Sequence, residues 1–352
     1  FDGGNEVVPV AVHLAQRLVG KQTGSGRVAV DHGPERDPAA PACRRGVGDL
    51  DGEGEDGRGH GQRYPCGRAD SRRRCKVGPM TIVVKVGGSI QDDPAQMRAI
   101  AADVAELARR GHRPVVVHGG GKAISAAMNA AGLRARFVLG QRYTDGRTLE
   151  IVERVLCGEV NGQLVRDIGE SGARAVAMTT LTSPVLYGVR SGTTDTEGVE
   201  HDLGQVGRVT RVDTAALRDA VGAGTVPVIA PVALDESTPP PHAKLNVNAD
   251  LAAGQVARWD AVESFILVSD TPGVRVDPTN YAATLTVGQC GDLKARGVVD
   301  GGMIPKIDAC LMALEGRPDR RVAITDGRQP GALLAAATGD AFRGTRVIAY
   351  AE

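Results

Sequence analysis

Lys85 lies inside the run Thr81-Ile82-Val83-Val84-Lys85-Val86, which ends on Gly87-Gly88-Ser89. Except at the lysine, the run is apolar on both faces, the pattern of a buried parallel strand. An unpaired buried ammonium is costly, so this lysine needs an anion or a route to water. The glycines after it let the backbone approach another group closely and present its N–H donors. A cation at a strand end beside a glycine turn suits a phosphate. A lysine snorkelling out of an edge strand accounts for the same residue without a ligand.

Two further stretches repeat the theme: His118-Gly119-Gly120-Gly121, and Gly301-Gly302-Met303-Ile304-Pro305-Lys306. Each falls at a strand end or a helix start and offers backbone N–H groups to an anion. Neither a GxxxxGK[ST] loop nor a GxGxxG turn is present, which disfavours a P-loop and a dinucleotide site. Lys122 reads as an outward residue on a first helical turn. His and Cys residues lack metal-ligand spacing, so no protein metal site is expected. His118 fits a satisfied structural histidine better than a catalytic base. Two lysines, glycine loops and a buried aspartate suit phosphoryl transfer, which asks for positioning and charge stabilisation. A carboxylate acceptor, with a pKa of about 4, is already ionised at neutral pH and needs no general base. The lack of a poised His–Asp or Glu dyad therefore favours a carboxylate acceptor over a hydroxyl.

The 352 residues carry 42 basic and 42 acidic side chains. Zero net charge argues against nucleic acid as the main partner. No apolar run is long enough for a bilayer, and the first residues lack the basic start of a signal peptide. Cys43, Cys66, Cys75, Cys157, Cys290 and Cys310 show neither CxxC spacing nor disulfide density, which points to free thiols and a cytoplasmic protein. Cys157 and Cys310 read as small core residues.

Residues 1–79 differ from the rest. One short amphipathic helix is expected over 7–18. Beyond it the composition is Gly, Arg, Asp and Pro with few large apolar residues, too little to offset ordering entropy. The segment is expected to be disordered, or a non-native extension ahead of a natural start at Met80. Arg72-Arg73-Arg74 reads as a solvated run.

From Met80 a β-α-β-α rhythm begins. Asp93 and Pro94 open a helix through Met97, Ile100, Val104 and Leu107. A strand over 114–118 and a helix over about 122–131 follow. The polar turn at 139–145 carries Arg142, and one long helix is expected over 149–169. Later strands are expected over 175–178, 185–187, 208–210, 226–230, 265–269 and 322–324. Later helices are expected over 214–221, from near 246–250 to 258, and over 301–314. The class is α/β, with glycine turns at the carboxyl ends of the strands, where ligands bind in such sheets.

From Met80 to about Ala351 the chain resembles the amino acid kinase family. The matching stretches are Val84-Lys85-Val86-Gly87-Gly88-Ser89, Val117-His118-Gly119-Gly120-Gly121-Lys122, Tyr143-Thr144-Asp145 and Leu203-Gly204-Gln205-Val206-Gly207. Asn246-Val247-Asn248-Ala249-Asp250, Ser269-Asp270-Thr271-Pro272-Gly273-Val274 and Gly301-Gly302-Met303-Ile304-Pro305-Lys306 complete them. The resemblance implies a three-layer sandwich around a mainly parallel sheet in two lobes, about 80–240 for the acceptor and 241–352 for the nucleotide. It implies ATP and Mg²⁺, with Mg²⁺ held mainly on phosphates.

Lys85 and Lys306 would stabilise the phosphoryl group, and Asp250 would hold both lysines. Gly87 and Gly88 would donate to the transferring phosphate. Gly120, Gly121, Arg142 and Asn246 would hold the acceptor, with Arg142 on its α-carboxylate. Ser269, Asp270, Gly273, Gly301, Gly302 and Met303 would line the ATP site. Without the resemblance, Arg142 reads as a surface ion-pair residue and Asn246 as a helix cap.

Within the family the chain most resembles the branch acting on N-acetyl-L-glutamate, which implies a step of arginine synthesis, and a homodimer without arginine control is expected. Two stretches depart from that branch. Ala177-Met178-Thr179-Thr180-Leu181 stands where a Gly-Leu-Ser-Gly turn is common, and Pro239-Pro240-Pro241-His242-Ala243-Lys244 lacks the usual Gly and aromatic. Both fall near the acceptor, which leaves two rivals open: glutamate or 2-aminoadipate on a small amino-group carrier protein, and a non-catalytic sensor of amino acids or nucleotides.

Overall fold

The computed structural model describes residues 78–87, 90–195, 197–339 and 342–350. The expectations for residues 1–77, with Cys43, Cys66 and Cys75, lie outside the described residues, as does Gly88.

Strand β1 (Thr81–Val86) is buried throughout. A 3₁₀ turn leads to α1 (Pro94–Arg109), whose first N–H groups are capped by the Asp93 carboxylate. Next come β2 (Arg113–His118), α2 (Gly121–Ala130) and the short hairpin β3 (Phe137–Val138) and β4 (Gln141–Arg142). Asp145 caps α3 (Gly146–Glu153). A π-helical segment (Arg154–Val160) follows, then α4 (Asn161–Glu170). The one α-helix expected over 149–169 is therefore interrupted. The apolar period continues through the stretch, so nothing in the sequence marks the wider turn.

Then come β5 (Ala175–Met178), β6 (Leu186–Arg190), β7 (Thr193–Thr194), β8 (Glu200–His201) and β9 (Val206–Val212). Helix α5 (Thr214–Gly222) leads to β10 (Val226–Ile229), β11 (Val232–Asp235) and β12 (Lys244–Val247). Helix α6 (Ala249–Ala257) precedes β13 (Val262–Ser269). The chain then gives β14 (Thr284–Thr286), α7 (Val287–Ala295), α8 (Met303–Leu314), β15 (Arg321–Asp326), α9 (Ala332–Thr338) and β16 (Gly344–Ile348).

Eight strands form one sheet in the order β14-β16-β15-β13-β1-β2-β10-β5. Every neighbouring pair is parallel except β15 with β16. Because side chains alternate along a strand, β1 feeds both faces. Ile82, Val84 and Val86 join Ile100 and Val104 of α1, Leu164 and Ile168 of α4, and Leu333 of α9. Val83 joins Leu217 of α5, Ala252 and Val256 of α6, and Ile307 of α8 on the opposite face. Helices therefore cover both sides of a mainly parallel sheet, the expected α/β sandwich. Lys85 shares its parity with Val83, which points it toward the α6 and α8 side. A four-stranded closed barrel, β11-β12-β9-β6, stands beside the sheet. Among the described residues no helix is long and apolar enough to cross a membrane.

Candidate active site

At the carboxyl end of β1, Lys85 is 4% exposed. Its ammonium lies 2.7 Å from Asp250 Oδ1, and Lys306 Nζ donates to Asp250 Oδ2 at 3.0 Å. The Lys85 contact is a buried ion pair. Asp250 enters on the first turn of α6, whose start is fixed by Asn248 accepting from the Asp250 and Leu251 amides at 2.9 and 3.2 Å. Lys306 enters on the first turn of α8. The two helices meet where a Cβ on Gly254 would come 2.9 Å from Ala309 Cα, an approach that needs glycine.

Burial pulls the Lys85 ammonium below its ordinary value against the opposing charge of Asp250, and Lys306 adds to the fall. Burial works to raise the Asp250 carboxyl, but the lysine charges outweigh it and hold the group below the ordinary carboxylate value.

A cleft of about 320 Å³ opens beside this triad. Lys85, Asp250, Lys306, Gly120, Gly121, Arg142 and Asn246 all line it, seven candidates from one sequence reading brought to one cleft. Arg142 is 9% exposed and makes no ion pair with a carboxylate among the described residues, so its reading as a surface ion-pair residue is overturned. Its guanidinium donates to Gly121 O at 2.9 Å, Ser125 Oγ at 2.7 Å and Met128 Sδ at 3.1 Å, and it lies over the Phe137 ring. Asn246 is no helix cap, since Asn248 fills that role. Asn246 sits in β12 and donates to Thr144 Oγ1 at 3.1 Å. Gly120 has φ 151°, and a side chain there would strike Leu156 on the π-helical segment. Ile124, Phe137, Leu156, Val206 and Pro231 supply the apolar part of its lining.

Ser269, Asp270, Gly273, Gly301, Gly302 and Met303 do not line this cleft. Ser269 ends β13, whose register beside β1 sets Lys85 opposite Leu267. Asp270 follows it and lies near enough to raise the proton affinity of Lys85. Gly273 packs against Thr345, and Gly302 is the residue before α8. Gly87 needs correction. Its amide donates to Val268 O at 2.8 Å and is engaged in the fold rather than held out for a phosphate. What Gly87 supplies is space, because a Cβ would come 2.9 Å from Val268 O and 3.9 Å from Lys85 Nζ.

His118 is fully buried, with Nδ1 2.7 Å from Gly119 O and Nε2 3.1 Å from the Asn161 amide. Both ring nitrogens are therefore used in structure. Lys122 pairs with Asp92 at 2.7 Å on the surface. Cys157, Cys290 and Cys310 are free and buried; burial raises all three thiols, Cys290 to about 12, so they stay protonated. Sequence reasoning missed the contributions of Thr144, Ser125 and Leu156. It also missed a second charged group, in which Lys244 meets Glu153 at 2.6 Å.

The model of the amino acid kinase family matches residues 80–326. Acetylglutamate kinase from Moorella thermoacetica is 35% identical over 274 residues, 76% of this chain and 91% of that protein. Acetylglutamate kinase from Pelotomaculum thermopropionicum is 37% identical over the same length and shares. N-acetylglutamate synthase from Neisseria gonorrhoeae, complexed with coenzyme A and N-acetyl-glutamate, superposes with a TM-score of 0.65 at 23% identity. That match covers 78% of this chain and 60% of the synthase chain. Carbamate kinase from Giardia lamblia bound to AMP-PNP gives 0.56 at 15% identity, covering 78% and 99%. At such identities the two structures speak for the fold alone. With the family match over most of the described residues, the chain belongs to the amino acid kinase family.

Proposed function

We propose that this chain is an ATP-dependent kinase that phosphorylates the side-chain carboxylate of N-acetyl-L-glutamate, the acyl-phosphate-forming step of arginine biosynthesis. The observation that carries it is the cleft in which the Lys85–Asp250–Lys306 triad faces Arg142 and Asn246. Relatives named acetylglutamate kinase, matched over about nine-tenths of their length, support the choice of acceptor.

The acceptor carboxylate oxygen attacks the γ-phosphorus of ATP, and the bond from that phosphorus to the β-phosphate oxygen breaks. No proton has to move, which suits a cleft lined by no histidine among the described residues. Lys85 and Lys306 meet the spreading negative charge from two sides, where preorganised cations act most strongly in a water-poor site. Asp250 keeps both ammonium groups in place. Gly87 leaves room for the phosphate beside Lys85. Arg142 takes the α-carboxylate, Asn246 the other polar end, and Leu156, Val206 and Phe137 the acyl group. Ser269 to Gly273 and Gly301 to Met303 serve the nucleotide. Mg²⁺ would be held mainly by the ATP phosphates and would supply further positive charge there. The active species is a cytoplasmic homodimer; among the described residues β5 is an edge strand of the sheet, and pairing there with a second copy would extend it.

The test is a hydroxylamine trap with MgATP and a panel of acceptors. N-acetyl-L-glutamate gives hydroxamate, while free glutamate and carrier-bound glutamate or 2-aminoadipate do not. Product only with a carrier-bound substrate, or with none, would overturn the proposal. Light scattering checks the dimer.

A further inference from the structure

Lys244 and Glu153 are far apart in the chain and neither lines the cleft, yet each stands within three residues of one that does, Asn246 and Leu156. Lys244 Nζ lies 2.6 Å from Glu153 Oε1 and donates to Oε2 at 2.6 Å. Thr180 Oγ1 donates to Glu153 Oε1 at 2.7 Å and lies 3.5 Å from Cys157 Sγ. The Glu153 side chain is 15% exposed. A surface pair of this kind contributes little, but here one largely buried carboxylate gathers donors from two separate segments.

The placement of these segments gives the group its meaning. Lys244 and Asn246 are two residues apart on β12 and so share a face, while Leu245 and Val247 point into the core. Helix α3 lies against that face. At its start, Thr144 takes the Asn246 amide at 3.1 Å; at its end, Glu153 takes Lys244. Arg142 stands just ahead of α3, and Leu156 just beyond Glu153 on the π-helical segment. Fixing α3 to β12 at both ends fixes the spacing between Arg142 and Asn246.

We infer that Glu153, Lys244 and Thr180 are positioning residues that set the width of the acceptor subsite. They touch neither substrate and act through Arg142, Asn246 and Leu156. The inference rests on reading the cleft as an acylamino-acid kinase site.

Steady-state kinetics on Glu153→Gln, Lys244→Met and Thr180→Val test it. For the first two, the KM for N-acetyl-L-glutamate rises about tenfold while kcat and the KM for ATP stay within about twofold, the signature of lost binding that is equal in ground and transition states. Thr180→Val, which changes one atom, gives a smaller rise of about threefold in the same constant alone. Lys244→Arg keeps the charge and restores the acceptor KM. The double variant Glu153→Gln/Lys244→Met is no worse than the worse single, because one contact is lost once. An acceptor KM unchanged in all three variants overturns the inference. So does a fall in kcat with both KM values shifted together and no rescue by arginine. Should the charge-removing variants not fold, Thr180→Val and Lys244→Arg still decide it. Wild-type protein that makes no hydroxamate from N-acetyl-L-glutamate sinks the functional reading instead, and wild-type turnover with unmoved variants sinks the clamp alone.

Discussion

Lys85 and Lys306 hold different oxygens of one carboxylate, at 2.7 Å on Asp250 Oδ1 and 3.0 Å on Oδ2. Two cations so close to a common point stay there only because the aspartate lies between them. Asp250→Asn removes the charge and keeps the shape. It leaves a buried ammonium without its counter-ion, which costs about 3–5 kcal/mol for groups of this kind. Urea unfolding measures it. The pair Lys85→Met/Asp250→Leu should be more stable than Asp250→Asn alone, since the more deeply buried of the two ammonium groups is then gone and only the partly exposed Lys306 has lost its partner. An Asp250→Asn protein as stable as wild type would mean that Lys85 reaches water in solution.

Lys306→Ala separates charge stabilisation from nucleotide binding. Removing one preorganised donor from a transition state lowers kcat by about 100- to 1000-fold, while the dissociation constant for ATP moves by less than about tenfold. Rapid-quench turnover and equilibrium binding give the two numbers. Equal losses in both would make Lys306 a binding residue only.

Arg142→Lys tests the acceptor clamp. Lysine keeps the charge but not the planar fork, and cannot hold Gly121 O, Ser125 Oγ and a carboxylate at once. The KM for the acceptor rises by about tenfold or more with the KM for ATP unmoved. An acceptor KM like that of wild type would take the α-carboxylate away from Arg142.

The chemistry of the site was legible where a local rule marked it. Lys85 stood out because an ammonium inside a β-branched run conflicts with burial, and Asp93 because an aspartate before Pro94 marks a helix start. Strands β11, β12, β14 and β16 and helix α7 gave no comparable signal. β12 is four residues long, carries Lys244 and Asn246 on its outer face, and follows a proline run, so it resembled the lead-in to a helix. By its own residue pattern Asp250 is an ordinary acidic residue on a first helical turn, and only the family resemblance marked it as the holder of both lysines; the arrival of Lys85 from β1 makes it a bridge. Gly87 was read for its N–H, but the register of β1 on β13 places that donor against Val268 O. The Glu153–Lys244–Thr180 group joins three distant segments through polar atoms, and no period or spacing reports such a meeting.

Gly254 was not singled out, although the triad depends on it. It stands one helical turn after Asp250, and Ala309 stands nearly one turn after Lys306, where α6 and α8 touch. A Cβ at Gly254 would lie 2.9 Å from Ala309 Cα and 3.1 Å from its carbonyl oxygen, and backbone atoms cannot step aside. Gly254→Val should force the helices apart at a cost of about 1–3 kcal/mol, the range for overpacked cores. It should also stretch the Asp250–Lys306 contact. Denaturant unfolding and kcat check the two effects, and a stable but fully active variant would show that the helices tolerate a wider spacing.

His118 sets a pH dependence of stability distinct from that of the triad. Burial, with the nearby Lys85 charge adding to it, lowers its imidazole from 6.5 to about 4. The neutral ring donates from Nδ1 to Gly119 O and accepts at Nε2 from Asn161. Above about pH 6.5 the folded and unfolded chains bind the same number of protons here, and the group adds no slope. Between about pH 6.5 and about pH 4 only the unfolded chain takes up the proton, so stability falls with pH by about 1.4 kcal/mol per unit, about 3 kcal/mol in all. His118→Gln cannot titrate and should lack this part of the slope, whatever its stability at neutral pH. Urea unfolding of both proteins at pH 7.5, 6 and 5 measures the difference. Parallel lines would mean that His118 gains its proton in the folded protein as readily as in the unfolded chain, which its burial, the nearby Lys85 charge and the Asn161 donor at Nε2 oppose.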